Sequence, residues 1–304
     1  MTFSTHSAPA TQPSTCTNSA EPQPRHHPVE RQTVPYPNKL QALRLPLTIA
    51  GTSLDVAGMY RDGTGIPLVF LHGFGSTKED YADVIQQTPL ADRPVLAYDA
   101  PGCGATTCSD ISVVSIPFLV SVATAVLEAT GIERFHLIGH SMGGLTALIL
   151  ADQQPTQVAS LIDIEGNLAP EDCFLSRQII IHRHDDPHTF LTEFAERAWN
   201  SRYYASTLYA ASLPHKVRAD AVRPIFESMV ELSDNGNLLN RFLALRLPRM
   251  FMYGDQNGSL SYLPRLADEG VELAKISHSG HFPMYSNPVQ MWCRISDFIL
   301  GTGQ

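Results

Sequence analysis

The pentapeptide Gly139-His140-Ser141-Met142-Gly143 stands between a strand-like stretch, Phe135 to Ile138, and a stretch with helical periodicity, Met142 to Gln153. A strand that passes directly into a helix through a serine flanked by small residues requires a sharp turn, which directs the serine hydroxyl away from the backbone. Strand and helix must then cover each other, so the chain is restricted to layered α/β designs. The same turn makes Ser141 a candidate nucleophile.

The rest of the chain repeats this alternation from about Leu45 onward. Leu45 to Ile49 and Leu54 to Tyr60, around Gly51, predict an opening hairpin. Pro67 to Leu71, Val95 to Tyr98, Phe135 to Ile138, Val158 to Ile164, Arg249 to Tyr253 and Val271 to Ile276 read as buried strands. Ser112 to Ala129, Met142 to Gln153 and Pro288 to Leu300 read as helices between them. Short apolar strands separated by helices predict a mostly parallel sheet covered on both faces. Glu171 to about Leu245 breaks the pattern with helix-like segments and no convincing strand, as expected of a helical insertion between two core strands.

Composition excludes several function classes. Lys plus Arg number 21 against 30 for Asp plus Glu, a formal charge of −9 that gives no electrostatic attraction for nucleic acid or anionic membrane. No apolar run approaches the roughly 18 residues that a membrane span needs. Cys16, Cys103, Cys108, Cys173 and Cys293 are odd in number and scattered, which suits ordinary thiols rather than a disulfide framework or a paired zinc site. The first 37 residues or so are rich in Ser, Thr and Pro, lack Gly, and hold no apolar core for a secretory signal. They read as a disordered tail on a cytoplasmic protein.

An alcohol at its ordinary pKa is a weak nucleophile, so Ser141 needs a base held by a third group. Of twelve histidines, His281 in Ser279-Gly280-His281-Phe282-Pro283 follows the last strand and precedes the final helix. That position puts it at the carboxyl edge of the sheet, where Ser141 also falls and where sites of open α/β sheets gather. His182, His184 and His188 occupy a polar stretch of the insertion and read as solvated, and His278 lacks the carboxylate or thiol companions of a zinc site. No metal or cofactor is expected. Leu71-His72-Gly73-Phe74-Gly75 follows an early buried strand, and the backbone N–H groups of Phe74 and Met142 are candidates for stabilising an oxyanion, with His72 shaping the loop.

These motifs, HGFG, the Asp99-Ala100-Pro101-Gly102-Cys103-Gly104 turn, GHSMGG and SGHFP, resemble the α/β-hydrolase superfamily in order and spacing from about Leu45 to Leu300. The resemblance implies an eight-stranded, mostly parallel sheet with a helical cap inserted after the sixth strand. The expected organisation is a tail (1–37), a core in two parts (38–170 and 246–304) and a cap (171–245).

The acid departs from the commonest family pattern. Much of the family carries it after the seventh strand in a G-x-x-D turn, which here reads Gly254-Asp255-Gln256-Asn257, with an amide at the acid's position. An amide cannot stabilise an imidazolium. Glu165, ending the preceding strand, is the favoured replacement, because relatives resembling haloalkane dehalogenases and some lactonases place the acid there. Asp255 is the alternative.

Serine at the elbow excludes the dehalogenase and epoxide-hydrolase chemistry of this fold, which uses aspartate, and leaves acyl transfer to water. Phe190, Phe194, Trp199, Tyr203, Tyr204 and Tyr209 crowd about twenty residues of the insertion and are expected to divide between packing and an apolar pocket over Ser141. The predicted activity is hydrolysis of a small or medium carboxylic ester or lactone through an acyl-enzyme. Alternatives from the same residues are a C–C bond or thioester hydrolase of natural-product metabolism, and a ligand-binding receptor on this fold with slow turnover. Oligomeric state is not legible.

Overall fold

Runs that are apolar at most positions become strands covered from both sides. Leu68–Leu71 (β3), Val95–Tyr98 (β4) and Phe135–His140 (β5) are buried throughout. The computed structural model describes residues 39–182 and 184–302, so the expected N-terminal tail lies outside the described residues. The remaining strands are Gln41–Ile49 (β1), Thr52–Arg61 (β2), Val158–Ile164 (β6), Arg249–Gly254 (β7) and Glu272–Ile276 (β8). Their order across the sheet is β1-β2-β4-β3-β5-β6-β7-β8, parallel from β4 onward and antiparallel at β1-β2 and β2-β4.

The expected count of eight strands needs one addition. Thr107–Cys108 pairs with β2 and makes the sheet nine-stranded. Two residues bounded by turns carry too little periodicity to register as a strand. The opening hairpin turns through Ala50 and Gly51, whose φ angles of 49° and 83° suit the tight two-residue turns that match strand twist.

Helix α1 (Ile116–Thr130) begins later than the apolar pattern suggested. Ser115 is extended, Pro117 occupies the first turn, and Ile111–Val113 forms a separate 3₁₀ turn upstream. Helix α2 (Met142–Gln153) is buried from Met142 to Ala151 on every face, as a helix apolar all round must be.

Between β6 and β7 lie a 3₁₀ turn (Pro170–Phe174) and five helices: α3 (Gln178–Ile181), α4 (Pro187–Trp199), α5 (Ser206–Lys216), α6 (Ala219–Asn235) and α7 (Leu238–Ala244). No strand occurs there among the described residues. Phe190, Phe194 and Tyr209 are buried, with Phe194 edge-on to Phe226 at 5.6 Å and Phe226 packed on Phe74 at 4.5 Å. Aromatic packing thus seats the insertion on the loop that follows β3. Trp199 and Tyr204 are 52% and 46% exposed and take no part in it.

A short backbone seam adds to this attachment. Val217 bridges to Cys103, the N–H of Arg218 donates to the Gly102 carbonyl at 2.9 Å, and that of Gly104 donates to the Lys216 carbonyl at 2.8 Å. Cys103, Cys108, Cys173 and Cys293 are free thiols. No helix among the described residues is long and apolar enough to cross a membrane.

Candidate active site

Strand register brings the candidate residues to one edge. His140 lies beside Ile164, Ile164 beside Met252, and Gly254 beside Ile276, so β5, β6, β7 and β8 end in line and discharge into four adjacent loops. Ser141, Glu165, Asp255 and His281 all follow those ends.

Ser141 adopts φ 51° and ψ −116°, a conformation that costs a non-glycine residue on the order of 1–3 kcal/mol. Its N–H donates to the Ile164 carbonyl at 2.9 Å, and its carbonyl accepts from Leu145 at 2.9 Å, so sheet and helix hold the turn from both sides. Gly143 is obligatory here because a Cβ would collide with the Leu71 carbonyl oxygen. The Ser141 hydroxyl lies 2.9 Å from His281 Nε2. His140, which the sequence reading passed over, uses Nε2 to donate to the His281 carbonyl at 2.7 Å and ties the histidine loop to the elbow. Burial holds the His140 imidazole down to about 3 and keeps it neutral.

Glu165 also has a positive φ, 52°. Its backbone N–H donates to the Met252 carbonyl at 2.9 Å. Its Oε1 accepts from the Gly254 N–H at 2.6 Å and its Oε2 from Asn257 Nδ2 at 2.7 Å. Oε2 lies 3.5 Å from His281 Nδ1, beyond a full hydrogen bond, and Nδ1 is buried with no partner among the described residues. Such contacts commonly tighten on substrate binding. Burial pushes the Glu165 carboxyl up to about 8 against the opposing pull of the Gly254 and Asn257 donors, and lowers the His281 imidazole to about 4.

Asp255, the alternative acid, faces elsewhere. Its carboxylate accepts from the backbone N–H groups of His278 at 2.9 Å and Ser279 at 3.1 Å, and these hydrogen bonds hold its pKa below the usual range. It braces the loop that carries His281.

The loop after β3 supplies the other candidates. The N–H groups of Phe74 and Met142 have no acceptor among the described residues. His72 Nε2 accepts from the Ala100 N–H and Nδ1 donates to the Gly73 carbonyl, both at 2.8 Å, so this ring shapes the loop. Tyr209, from α5, donates its hydroxyl to the Phe74 carbonyl at 3.1 Å and stacks on Phe282 at 4.3 Å. Neither contact is foreshadowed by motif spacing.

A cavity of about 300 Å³ opens beside His281 and Asn257. Phe194, Tyr203, Tyr209 and Phe282 form much of its wall, together with Gln178 and Arg197. A narrow cleft of about 20 Å³ reaches Ser141 between Phe74, Phe226 and His281. Away from it, half-buried His182, Asp185 and Glu193 bring one ligand-type atom each within 4.8 Å of one another, although the His182 ring is already 3.0 Å from Asp185. His278 stands on the Asp255-braced loop, with its ring edge-on to Tyr204 at 6.4 Å.

This fold and edge-of-sheet site define the class. The model of the alpha/beta hydrolase family matches residues 68–292, and the chain belongs to that family. A proline iminopeptidase of Lactobacillus delbrueckii subsp. lactis is 37% identical over 101 residues, 32% of this chain and 34% of that protein, so the match spans about a third of the relative's length. The 2-succinyl-6-hydroxy-2,4-cyclohexadiene-1-carboxylate synthase of Serratia proteamaculans is 24% identical over 248 residues, covering 78% of this chain and 94% of that one. Among solved structures, a carboxylesterase structure from Nitrososphaera gargenis superposes with a TM-score of 0.69 at 19% identity, covering 85% of this chain and 98% of that chain.

Proposed function

We propose that this chain is a serine hydrolase of small or medium carboxylic esters or lactones. The observation that carries the reading is the 2.9 Å contact between Ser141 Oγ and His281 Nε2, with the opposite ring nitrogen turned toward Glu165. In the proposed reaction, Nε2 takes the hydroxyl proton as Oγ attacks the carbonyl carbon. The oxyanion forms against the N–H groups of Phe74 and Met142, each such donor contributing about 10²- to 10³-fold in rate. Collapse expels the alcohol, which takes the proton from His281, and leaves an acyl-serine. Water, deprotonated by the same nitrogen, then releases the acid and restores Ser141.

Glu165 serves as the acid in this proposal, stabilising the imidazolium and fixing Nδ1–H toward itself. Residues 171–245 act as the cap. A cavity of about 300 Å³ under buried aromatics suits a compact acyl compound better than a long chain or a polymer.

The test is labelling with a fluorophosphonate, followed by mass spectrometry of the modified peptide and turnover of a panel of p-nitrophenyl esters and lactones. Modification at Ser141 and loss of turnover in Ser141→Ala are expected. A Ser141→Ala protein that hydrolyses the panel as fast as the parent overturns the reading.

A further inference from the structure

Arg197 sits in the wall of the cavity beside His281 and, among the described residues, is the only Lys or Arg that lines it. Its guanidinium is only partly engaged within the protein. Nε donates to the neutral Gln178 Oε1 at 2.7 Å, and Nη1 donates to the half-exposed Glu193 carboxylate at 3.4 Å. Nη2 is buried and has no acceptor among the described residues. A buried donor left without a partner is costly, and the neighbouring Phe190 ring, 5.8 Å from the guanidinium carbon, offers only its π face. Gln178 fixes the group from α3 while α4 carries it, so the cation is held in place.

We infer that this cavity takes an ester or lactone bearing a second, carboxylate group, and that Arg197 is the residue that recognises it. The inference rests on the hydrolase reading above and names the substrate class of that site. Arginine suits the task because Nη2 by itself carries two N–H donors on a permanently charged group, and neither has an acceptor among the described residues. The surrounding aromatic wall excludes water and strengthens the attraction. The chain's overall charge of −9 repels anions at a distance, so selection occurs at close range, inside the cavity.

The experiment measures binding, so that it does not depend on turnover. Ser141→Ala protein is titrated by calorimetry with monomethyl glutarate and with dimethyl glutarate, which differ by the free carboxylate. The same pair is then titrated into Ser141→Ala proteins carrying Arg197→Gln or Arg197→Lys. The monoester is expected to bind about ten- to a hundredfold more tightly than the diester, as a hydrogen bond to a charged group predicts. Arg197→Gln should abolish that ratio, and Arg197→Lys should restore part of it. Equal binding of the two ligands, or a ratio that survives Arg197→Gln, overturns the inference while leaving the Ser141 chemistry untouched. Failure of fluorophosphonate labelling at Ser141 would overturn the hydrolase reading and leave a binding ratio standing by itself.

Discussion

Asn257 donates its amide to Glu165 at 2.7 Å, across the ends of two neighbouring strands. The residue that occupies the family's usual acid position therefore attends the carboxylate that we propose has replaced it. Glu165→Gln is expected to lower kcat/KM by about 10³- to 10⁴-fold, the range set by acid-to-amide exchange in a serine triad. Asp255→Asn, which disturbs only a loop brace, should cost less than about tenfold. Ester kinetics on the two variants under one assay decide the matter, and the reverse ranking would transfer the acid's role to Asp255.

Burial acts on the two partners in opposite directions. It lowers His281 to about 4, so the imidazole is neutral and able to accept a proton across the working range. It raises Glu165 to about 8, so the carboxyl gains its charge only as pH rises through that region. The acid limb of kcat/KM should therefore follow Glu165 and lie well above the ordinary glutamate value of about 4.3. Residual activity of Glu165→Gln should lack this limb. The same raised pKa favours the folded state below the unfolded value and loses that contribution as pH climbs toward 8, so chemical denaturation of Glu165→Gln should depend less on pH over this interval. A limb that persists unchanged in the variant contradicts the assignment.

Tyr209→Phe removes one hydroxyl and leaves the buried Phe74 carbonyl without its donor. Loss of stability of about 1–3 kcal/mol is expected from the unsatisfied group. Because the adjoining N–H of Phe74 is the proposed oxyanion donor, kcat should fall more than KM rises. Urea denaturation and ester kinetics together test this, and a stability loss with unchanged kcat would make Tyr209 a purely structural residue.

Gly143→Ala forces a methyl group into the Leu71 carbonyl, which belongs to the sheet and cannot retreat. Overpacking of this kind costs about 1–3 kcal/mol or more. Reduced thermal stability with loss of fluorophosphonate labelling is expected, whereas full labelling at wild-type stability would mean the elbow can relax.

Much of this architecture was legible because the decisive features are local. Gly139 to Gly143 carry the elbow in consecutive residues, and the buried strand Val95–Tyr98 coincides with an unbroken apolar run. The Asn257 to Glu165 bond was not legible, since it depends on the alignment of two strand ends that lie 92 residues apart in the chain. Tyr209 and Phe74 are 135 apart and meet only because aromatic packing seats the insertion. Trp199 and Tyr204 resemble their buried neighbours in composition, but Trp199 ends α4 and Tyr204 lies in the turn before α5, where neither packs on the core. Arg197 was invisible for a related reason, because a charged residue on an amphipathic helix ordinarily faces solvent.

The parallel ends of β6 and β7 allow one charge to be delivered from either of two loops. What an imidazole requires is negative charge at one point in space, and two different loops reach that point from adjacent strands. The carboxylate can thus change its address in the gene while nucleophile and base stay where they are. Under the proposed assignment, the amide at the usual acid position is left to steady the carboxylate supplied from the neighbouring strand.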